Sequence, residues 1–476
     1  MQSTYAPIIE HLQQQSYKEA EVVAKDLIRS NPLEGQAWVF LGEALMHQGY
    51  GLTAKRVFNR AWLLDPEAAW VNSVYEALEQ TPEGVERVDI EGLLHVPRVT
   101  VAAAILARNE EQRIEKCITA LYEAVDEIIL VDSSTDRTRE IASKFSKVKV
   151  VPIEWRDHFA IARNEGLNHI QSDWVLWVDT DELLLEEDVC GVREIAGIFH
   201  HHPIPPVLHI WHLNQIRGEV HHDFSQTRMF PTKRGLQFWG RIHEQISGSL
   251  GIYQEETYRR AVRIRFLHDG YDPSVIMKKN KIERNLRLLK MMLEEEPNDP
   301  GNWLYYGRES LLAGQEEQAF EALLEAERIG LQTPRFGRML DVYKLLTHYY
   351  MSRKDWKQAE TTCLKALEHN NQFPDAHFLL AQIRMKQADA LYLEADFHLK
   401  KAKTSIKEYR GSVSADYQIG QWKADLAVAD LALRAGKLAE ARHIYQVHAK
   451  RYPNIESLSQ RMDMIEKQKN LLNRPI

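Results

Sequence analysis

Four short apolar runs break the middle of the chain: RVTVAAAIL at 98–106, EIILVD at 127–132, KVKVVP at 147–152 and WVLWVD at 174–179. Each is rich in β-branched and aromatic residues and ends in polar ones. Between them lie stretches of helical spacing, such as EEQRIEKCITALYEAV and STDRTREIASKF. Strands alternating with helices predict parallel βαβ units. The near-continuous apolar character of the runs predicts strands buried on both faces. In open sheets of this type, ligands bind beyond the carboxyl ends of the strands.

Outside residues 97–270 the pattern becomes helical. Trp38, Leu41, Gly42, Leu45, Ala54, Phe58, Ala61 and Pro66 fall at the offsets of a tetratricopeptide repeat. Pro32 and Ala20 precede Pro66 and Ala54 by 34 residues, the period of that repeat. Small residues let two helices approach, large ones fill the groove between them, and proline closes the unit. The pattern returns at Pro297, Trp303, Gly307, Ala319, Leu323 and Ala326, at Ala359, Ala366, Leu380 and Ala381, and at Gly436, Ala441, Tyr445 and Pro453. Trp38, Trp303 and Trp356 fall at core positions of these units. Residues 386–435 are helical in composition but irregular in register. The expected organisation is therefore an α/β domain at 96–272. All-α repeats flank it, with one and a half to two units at 1–95 and about four at 273–476.

Composition narrows the function. The chain has 476 residues, which bounds it at roughly two to four domains. A net charge of −8, from 60 basic and 68 acidic residues without a polybasic block, argues against general nucleic-acid binding. Three widely spaced cysteines and no CxxC pair suggest neither a disulfide framework nor a structural zinc site, and fit a reducing cytoplasm. No apolar run reaches the length of a membrane span, and MQSTYAPIIEHLQQQSYKEAE has no signal-peptide pattern. His200, His201, His202, His209, His212, His221 and His222 offer metal-binding side chains, but no set has firm zinc spacing. Cys117, at helical spacing within EKCITAL, reads as buried core.

The chemistry gathers at the strand ends. The first run leads into Ala107-Arg108-Asn109-Glu110, the second ends at Asp132, and the fourth ends in Asp179-Thr180-Asp181-Glu182. If residues 179–181 are extended, Asp179 and Asp181 share one side. Two such carboxylates repel unless one is protonated or a cation lies between them. A hard divalent ion relieves that repulsion and takes one or two protein carboxylates with diphosphate oxygens. The alternative is a solvated helix N-terminus, where acids suit the macrodipole. Asp132 is an acceptor at a strand tip, for a ligand N–H or as a helix cap. Arg163, on the probable helix FAIARNEGL, suits phosphate oxygens or a surface salt bridge.

In this order, ILARNEE, LVDSSTDRT, FAIARNEGL and WVDTDE resemble a family 2 glycosyltransferase. TRMF, FWGRIHEQ and LHDGYDPS extend the similarity. With WLYYGRES leading into helical repeats, the set is similar to the sublancin-type peptide S-glycosyltransferases and to tetratricopeptide-bearing flagellin glycosyltransferases. The resemblance covers about residues 98–310. It implies a GT-A fold, α/β with a Rossmann-like mixed but mainly parallel sheet, and a bacterial cytoplasmic enzyme. It implies a UDP-sugar donor, Mn²⁺ or Mg²⁺, and inversion at the anomeric carbon. Asp132 would take the uracil. Asp179, Thr180 and Asp181 would serve ribose, diphosphate and metal, with Asp181 the more direct metal ligand. Ala107, Arg108 and Glu110 would flank the nucleoside. Read from its own place in TRMF, Arg228 is expected to reach the diphosphate or the donor sugar, or to be a strand-surface arginine. The clear amino-terminal repeats depart from the sublancin type, which leaves the acceptor open.

An inverting transferase needs a base for the acceptor nucleophile and positive charge for the leaving diphosphate. Glu244 is the expected base, with His243 a further metal or phosphate contact. The reverse assignment and a purely structural pair stay open. His268, Asp269 and Tyr271 are expected to close the acceptor side, or to form a turn. Repeats that hold peptides favour a protein or peptide acceptor, such as flagellin or a bacteriocin precursor, modified on Ser, Thr or Cys. Dimerisation, including a homodimer, and bracing are the other uses of the repeats. A polysaccharide or glycolipid transferase and a non-enzymatic nucleotide-binding scaffold are the alternative functions.

Overall fold

The computed structural model describes residues 2–216, 218–268, 278–408, 413, 415–453 and 455–472. It divides into two compact units, Met1–Gly337 and Arg338–Ile476. The four expected apolar runs form β1 (Val101–Ala107), β2 (Glu127–Asp132), β3 (Val148–Pro152) and β4 (Trp174–Val178). Further strands follow among the described residues: β5 (Glu182–Leu184), β6 (Pro206–Ile216), β7 (Glu219–Asp223), β8 (Thr227–Pro231), β9 (Gln237–Trp239), β10 (Gln245–Ser247) and β11 (Tyr258–His268).

One mixed sheet runs β3-β2-β1-β4-β8-β6-β11-β5, with β7 paired to β6, while β9 and β10 form a separate ribbon. The β3-β2-β1-β4 block is parallel throughout. β8 joins it antiparallel to both β4 and β6. β4 is buried at every position, as a continuous apolar run requires. β6 instead alternates buried and half-buried residues from Leu208 to Asn214, with Leu208 and Ile210 turned to the main core.

The amino-terminal repeats share a core with this sheet. Ile8, Trp38, Leu41 and Phe58 belong to the same buried cluster as Val101, Ile128, Trp174 and Ile264. Polar contacts reinforce the apolar ones. Arg260 on β11 donates from Nε and Nη2 to the Leu64 carbonyl at 3.1 and 2.7 Å, and from Nη1 to the Leu33 carbonyl at 2.7 Å. Leu64 ends the helix Gly51–Leu64, so a guanidinium closes carbonyls that the helix leaves open. Arg263 lies over Trp62 at 4.2 Å.

The repeat chemistry recurs before and after the strands along the chain. Trp38 donates its indole N–H to the Pro32 carbonyl at 2.9 Å, and Trp303 does the same to Pro297 at 2.7 Å. Trp38 is fully buried; Trp303 and Trp356 are half-buried. A Cβ on Gly42 would lie 2.8 Å from the Phe58 ring, and one on Gly307 would lie 2.9 Å from Leu323. In the second unit, helices Met339–Ser352 and Trp356–His369 form another hairpin. The stretch of irregular register begins as a single 32-residue helix, Pro374–Ser405.

Gly42→Ala is expected to destabilise the protein by about 1–3 kcal/mol through overpacking against Phe58. A urea unfolding midpoint equal to that of the wild type would contradict this.

Candidate active site

β1 is the pivot of the parallel block, with β2 on one side and β4 on the other. Its register sets Ala107 beside Asp132 and Ile105 beside Val178. Asp132 and Asp179 thus end strands that flank β1, their backbones about 10 Å apart at ordinary strand spacing. Asp132 is completely buried; its Oδ2 accepts from Arg139 Nε at 2.9 Å. Its Oδ1 is buried without a hydrogen-bond partner, an acceptor suited to a ligand N–H.

The loop after β1 is laced to the loop after β2. Asn109, at φ +62°, donates its N–H to Ser134 Oγ at 2.7 Å and accepts from the Thr135 N–H at 2.9 Å. The Glu110 N–H donates to Thr138 Oγ1 at 2.8 Å. Burial pushes the Glu110 carboxyl up, against the opposing pull of Arg113 and the Thr180 hydroxyl. Thr180 itself is buried, and Arg108 is exposed at the tip of β1.

Residues 179–182 are not extended. The Glu182 N–H donates to the Asp179 carbonyl at 3.0 Å, and Glu182 Oε2 accepts the Asp179 N–H at 2.8 Å. The segment turns so that β5 can run back along β11. The two aspartates consequently take different partners. Asp179 Oδ1 accepts from Arg163 Nη2 at 3.1 Å and Oδ2 from Arg228 Nη2 at 2.5 Å. Burial opposes its ionisation, but Arg228 and Arg163 prevail and hold its carboxyl well below the usual carboxylate range. Asp181 Oδ2 lies 3.5 Å from His268 Nε2. Burial raises the Asp181 carboxyl, the His268 hydrogen bond and charge outweigh it, and the net displacement is downward. Glu182 is 3% exposed and accepts from His212 at 2.7 Å and Arg228 at 3.0 Å.

Arg163 ties this acidic edge to the GRIHEQ segment. It is on the helix Phe159–Leu167, 5% exposed, over the Trp177 ring at 4.9 Å. Its Nε donates to Glu244 Oε1 at 2.6 Å while Nη2 holds Asp179. The next residue, Asn164, brackets Phe238 with two hydrogen bonds of 2.9 and 2.8 Å, fixing the strand that leads to Glu244. Glu244 Oε2 makes no hydrogen bond among the described residues. The His243 ring is directed elsewhere, stacked on Tyr305 at 4.6 Å.

The structure therefore gathers Asp179, Arg163, Glu244 and Arg228, with Glu110, Thr180 and Asp181 beside them. Asp132 and Ala107 line the same edge. Asp269, Tyr271 and Asp272-Pro273 lie outside the described residues. One group near the site, Arg284, escaped the sequence reading, and two histidines read there in other roles take specific partners. His268 meets Asp181, and the alternation of RRAVRIRFLH into LHD could have put it at a strand tip. His212 is a buried strand residue, hidden by the surrounding histidines. Arg284 lies over Phe159 at 5.5 Å, and burial with repulsion from Arg108 and Arg287 lowers its affinity for its proton. Cys117 is fully buried, and burial pushes its thiol up, as expected of a core residue.

Asp181 is the acid of the pair that no arginine holds; it lies beside His268, whose Nδ1 is 2.8 Å from Asn214 Oδ1. Both Asp179 oxygens are engaged by arginines, which makes Asp179 the poorer ligand. Among the described residues no group of three or more His, Cys, Asp or Glu is arranged to hold a metal. A cation bound largely through substrate oxygens takes only one or two protein carboxylates.

A mixed sheet with a cluster of polar side chains at its parallel carboxyl ends, braced by helical repeats, defines a GT-A-like α/β domain joined to tetratricopeptide repeats. The family model described as Glycosyl transferase family 2 matches residues 103–196, and a Tetratricopeptide repeat model matches residues 6–50. The chain thus carries a family 2 glycosyltransferase domain and a tetratricopeptide repeat. The SPbeta prophage-derived glycosyltransferase SunS of Bacillus subtilis is 29% identical over 226 residues, 47% of this chain and 52% of that protein. A TPR repeat-containing protein of Synechococcus elongatus is 27% identical over 206 residues, 42% of this chain and 49% of that protein. The chain spans about half the length of the curated relatives it matches. Among solved structures, S. aureus TarS 1–349 in complex with UDP-GlcNAc is 15% identical, with a TM-score of 0.33 over 58% of this chain and 93% of that one.

Arg228→Met leaves Glu182 buried with one partner fewer and Asp179 short of a cation. The expected cost is about 3–5 kcal/mol, read from chemical unfolding. A loss below about 1 kcal/mol, the size of an exposed pair, would contradict this view of the network.

Proposed function

We propose that the protein is an inverting, metal-dependent glycosyltransferase that moves a sugar from a UDP-sugar to Ser, Thr or Cys of a protein or peptide. One observation carries the reading. A single buried guanidinium, Arg163, bonds both Asp179 of the acidic edge and Glu244, which is 65 residues further along the chain. A candidate base is thereby held beside a candidate donor site.

In this reading Asp132 Oδ1 accepts the imide N–H of the uracil, and the crossed loops after β1 and β2 hold the nucleoside. Asp181 and His268 would hold Mn²⁺ or Mg²⁺, which when bound supplies positive charge to the diphosphate. Glu244 Oε2 takes the proton from the acceptor hydroxyl or thiol. The freed oxygen or sulfur attacks the anomeric carbon from the face opposite the leaving group, and the bond to UDP breaks as the new bond forms. Arg163 keeps Glu244 oriented, while Arg108 and Arg284 face the departing negative charge. A thiol acceptor needs less help from the base, because its pKa of about 8.5 leaves some thiolate near neutrality.

The repeats suit a polypeptide acceptor, since stacked helical hairpins present extended grooves. No described helix is long and apolar enough to cross a membrane. Three free cysteines suit a reducing cytoplasm.

The experiment is a peptide library incubated with UDP-glucose, UDP-galactose and their N-acetyl forms plus Mn²⁺, read by mass spectrometry and UDP release. Sugar-sized mass gains that stop on adding a chelator are expected. Asp181→Ala should lower turnover by about 100-fold or more without changing the unfolding midpoint. Full activity in that variant, or in the presence of chelator, would reject the metal assignment. UDP release without any peptide mass gain would reject the polypeptide acceptor.

A further inference from the structure

His243 precedes the candidate base but takes no part in the acidic cluster, and its backbone is unusual. Its φ is +53°, a left-handed conformation that side-chain-bearing residues rarely adopt. Such a conformation persists where the surroundings hold it. The surroundings are two helices that follow the sheet, Lys278–Glu295 and Pro300–Leu312.

Each residue before Glu244 is anchored to them. The Arg241 guanidinium holds Glu295 through Nε at 2.8 Å and Nη2 at 2.5 Å. Ile242 is 5% exposed and packs with Leu288, Leu289, Met292 and Tyr305. The His243 ring stacks on Tyr305, with centroids 4.6 Å apart and planes 27° from parallel. His243 Nε2 lies 3.3 Å from Arg308 Nη2 and 3.5 Å from Glu309 Oε1. Glu309 is 5% exposed, and its second oxygen accepts from the buried Asn285 Nδ2 at 3.4 Å. From the other side, the Arg241 and Gly240 carbonyls accept the Phe159 and Ala160 N–H groups at 2.8 and 3.3 Å. Only Glu244 turns to Arg163 and the acids.

We infer that His243 is a positioning residue, and that Tyr305 and Glu309 on the first downstream repeat helix are the fixed wall that aims Glu244 at the site. This rests on the proposed role of Glu244 as base. The helices after residue 278 then belong to the catalytic unit itself, beyond any role that repeats have in acceptor docking. Buried Glu309 is the pivot, because it closes both the His243 and the Asn285 contacts. A base that must meet the acceptor's proton in one geometry loses rate steeply when its support shifts by about 1 Å.

The test compares Glu309→Ala with Glu309→Gln, which keeps the shape and one of the two acceptor oxygens, and adds His243→Ala as an independent probe. Glu309→Ala and His243→Ala should each lower kcat by about tenfold or more, with KM for the UDP-sugar within about twofold of wild type. Glu309→Gln should recover to within about threefold. Amide exchange at Ile242, His243 and Glu244 should speed up in the two alanine variants, while β1 amides stay protected. Unchanged kcat and unchanged exchange would overturn the inference, as would a rise in KM that matches the fall in kcat/KM. If wild type transfers no sugar, the proposed function fails, and the exchange comparison still decides whether this wall holds the Glu244 loop.

Discussion

A buried arginine must find acceptors for its charge, and that requirement organises the site. Arg163 is 5% exposed and sits on Trp177, so water cannot solvate it. Leaving such a charge unpaired costs several kcal/mol, so the fold must bring carboxylates to it. It brings two, Asp179 from the strand edge and Glu244 from beyond β9. Neither lies near the other in sequence. Their convergence follows from where the helix Phe159–Leu167 crosses the sheet and from the Asn164 clamp on Phe238. Arg228 does the complementary job between Asp179 and the buried Glu182, a layer deeper.

The same logic explains the DTDE turn. Glu182 is the buried acid, not Asp181; it takes His212, Arg228 and the Asp179 N–H. Once Glu182 points inward, the chain must turn at residues 180–181, and Asp181 faces His268 instead of standing beside Asp179. One aspartate is committed to arginine pairing, while the other meets a histidine. A motif that looks symmetrical in sequence is divided by its tertiary partners into two environments.

What was legible follows from how local each signal is. β1 to β4 announce themselves because strands buried on both faces are continuous apolar runs. The repeats announce themselves because a 34-residue period carries close-packing pairs such as Gly42 with Phe58. β6 and β11 carry a clear alternation, but the first is rich in histidine and the second in arginine. Those side chains look like surface until Arg260 is seen closing the Leu64 carbonyl and Arg263 covering Trp62. The pairing of Arg163 with Glu244 spans 81 residues and the contact of His243 with Arg308 spans 65, and no local pattern encodes them. The candidate residues were recognisable by type and order; their partners were not.

The central claim is that Arg163 and Glu244 act as one unit. A double-mutant cycle on turnover, with Arg163→Met, Glu244→Gln and the pair combined, tests it most directly. If they act together, the combined variant should turn over no more slowly than Glu244→Gln alone. Losses that simply multiply would show that the two residues contribute independently, and would contradict the account.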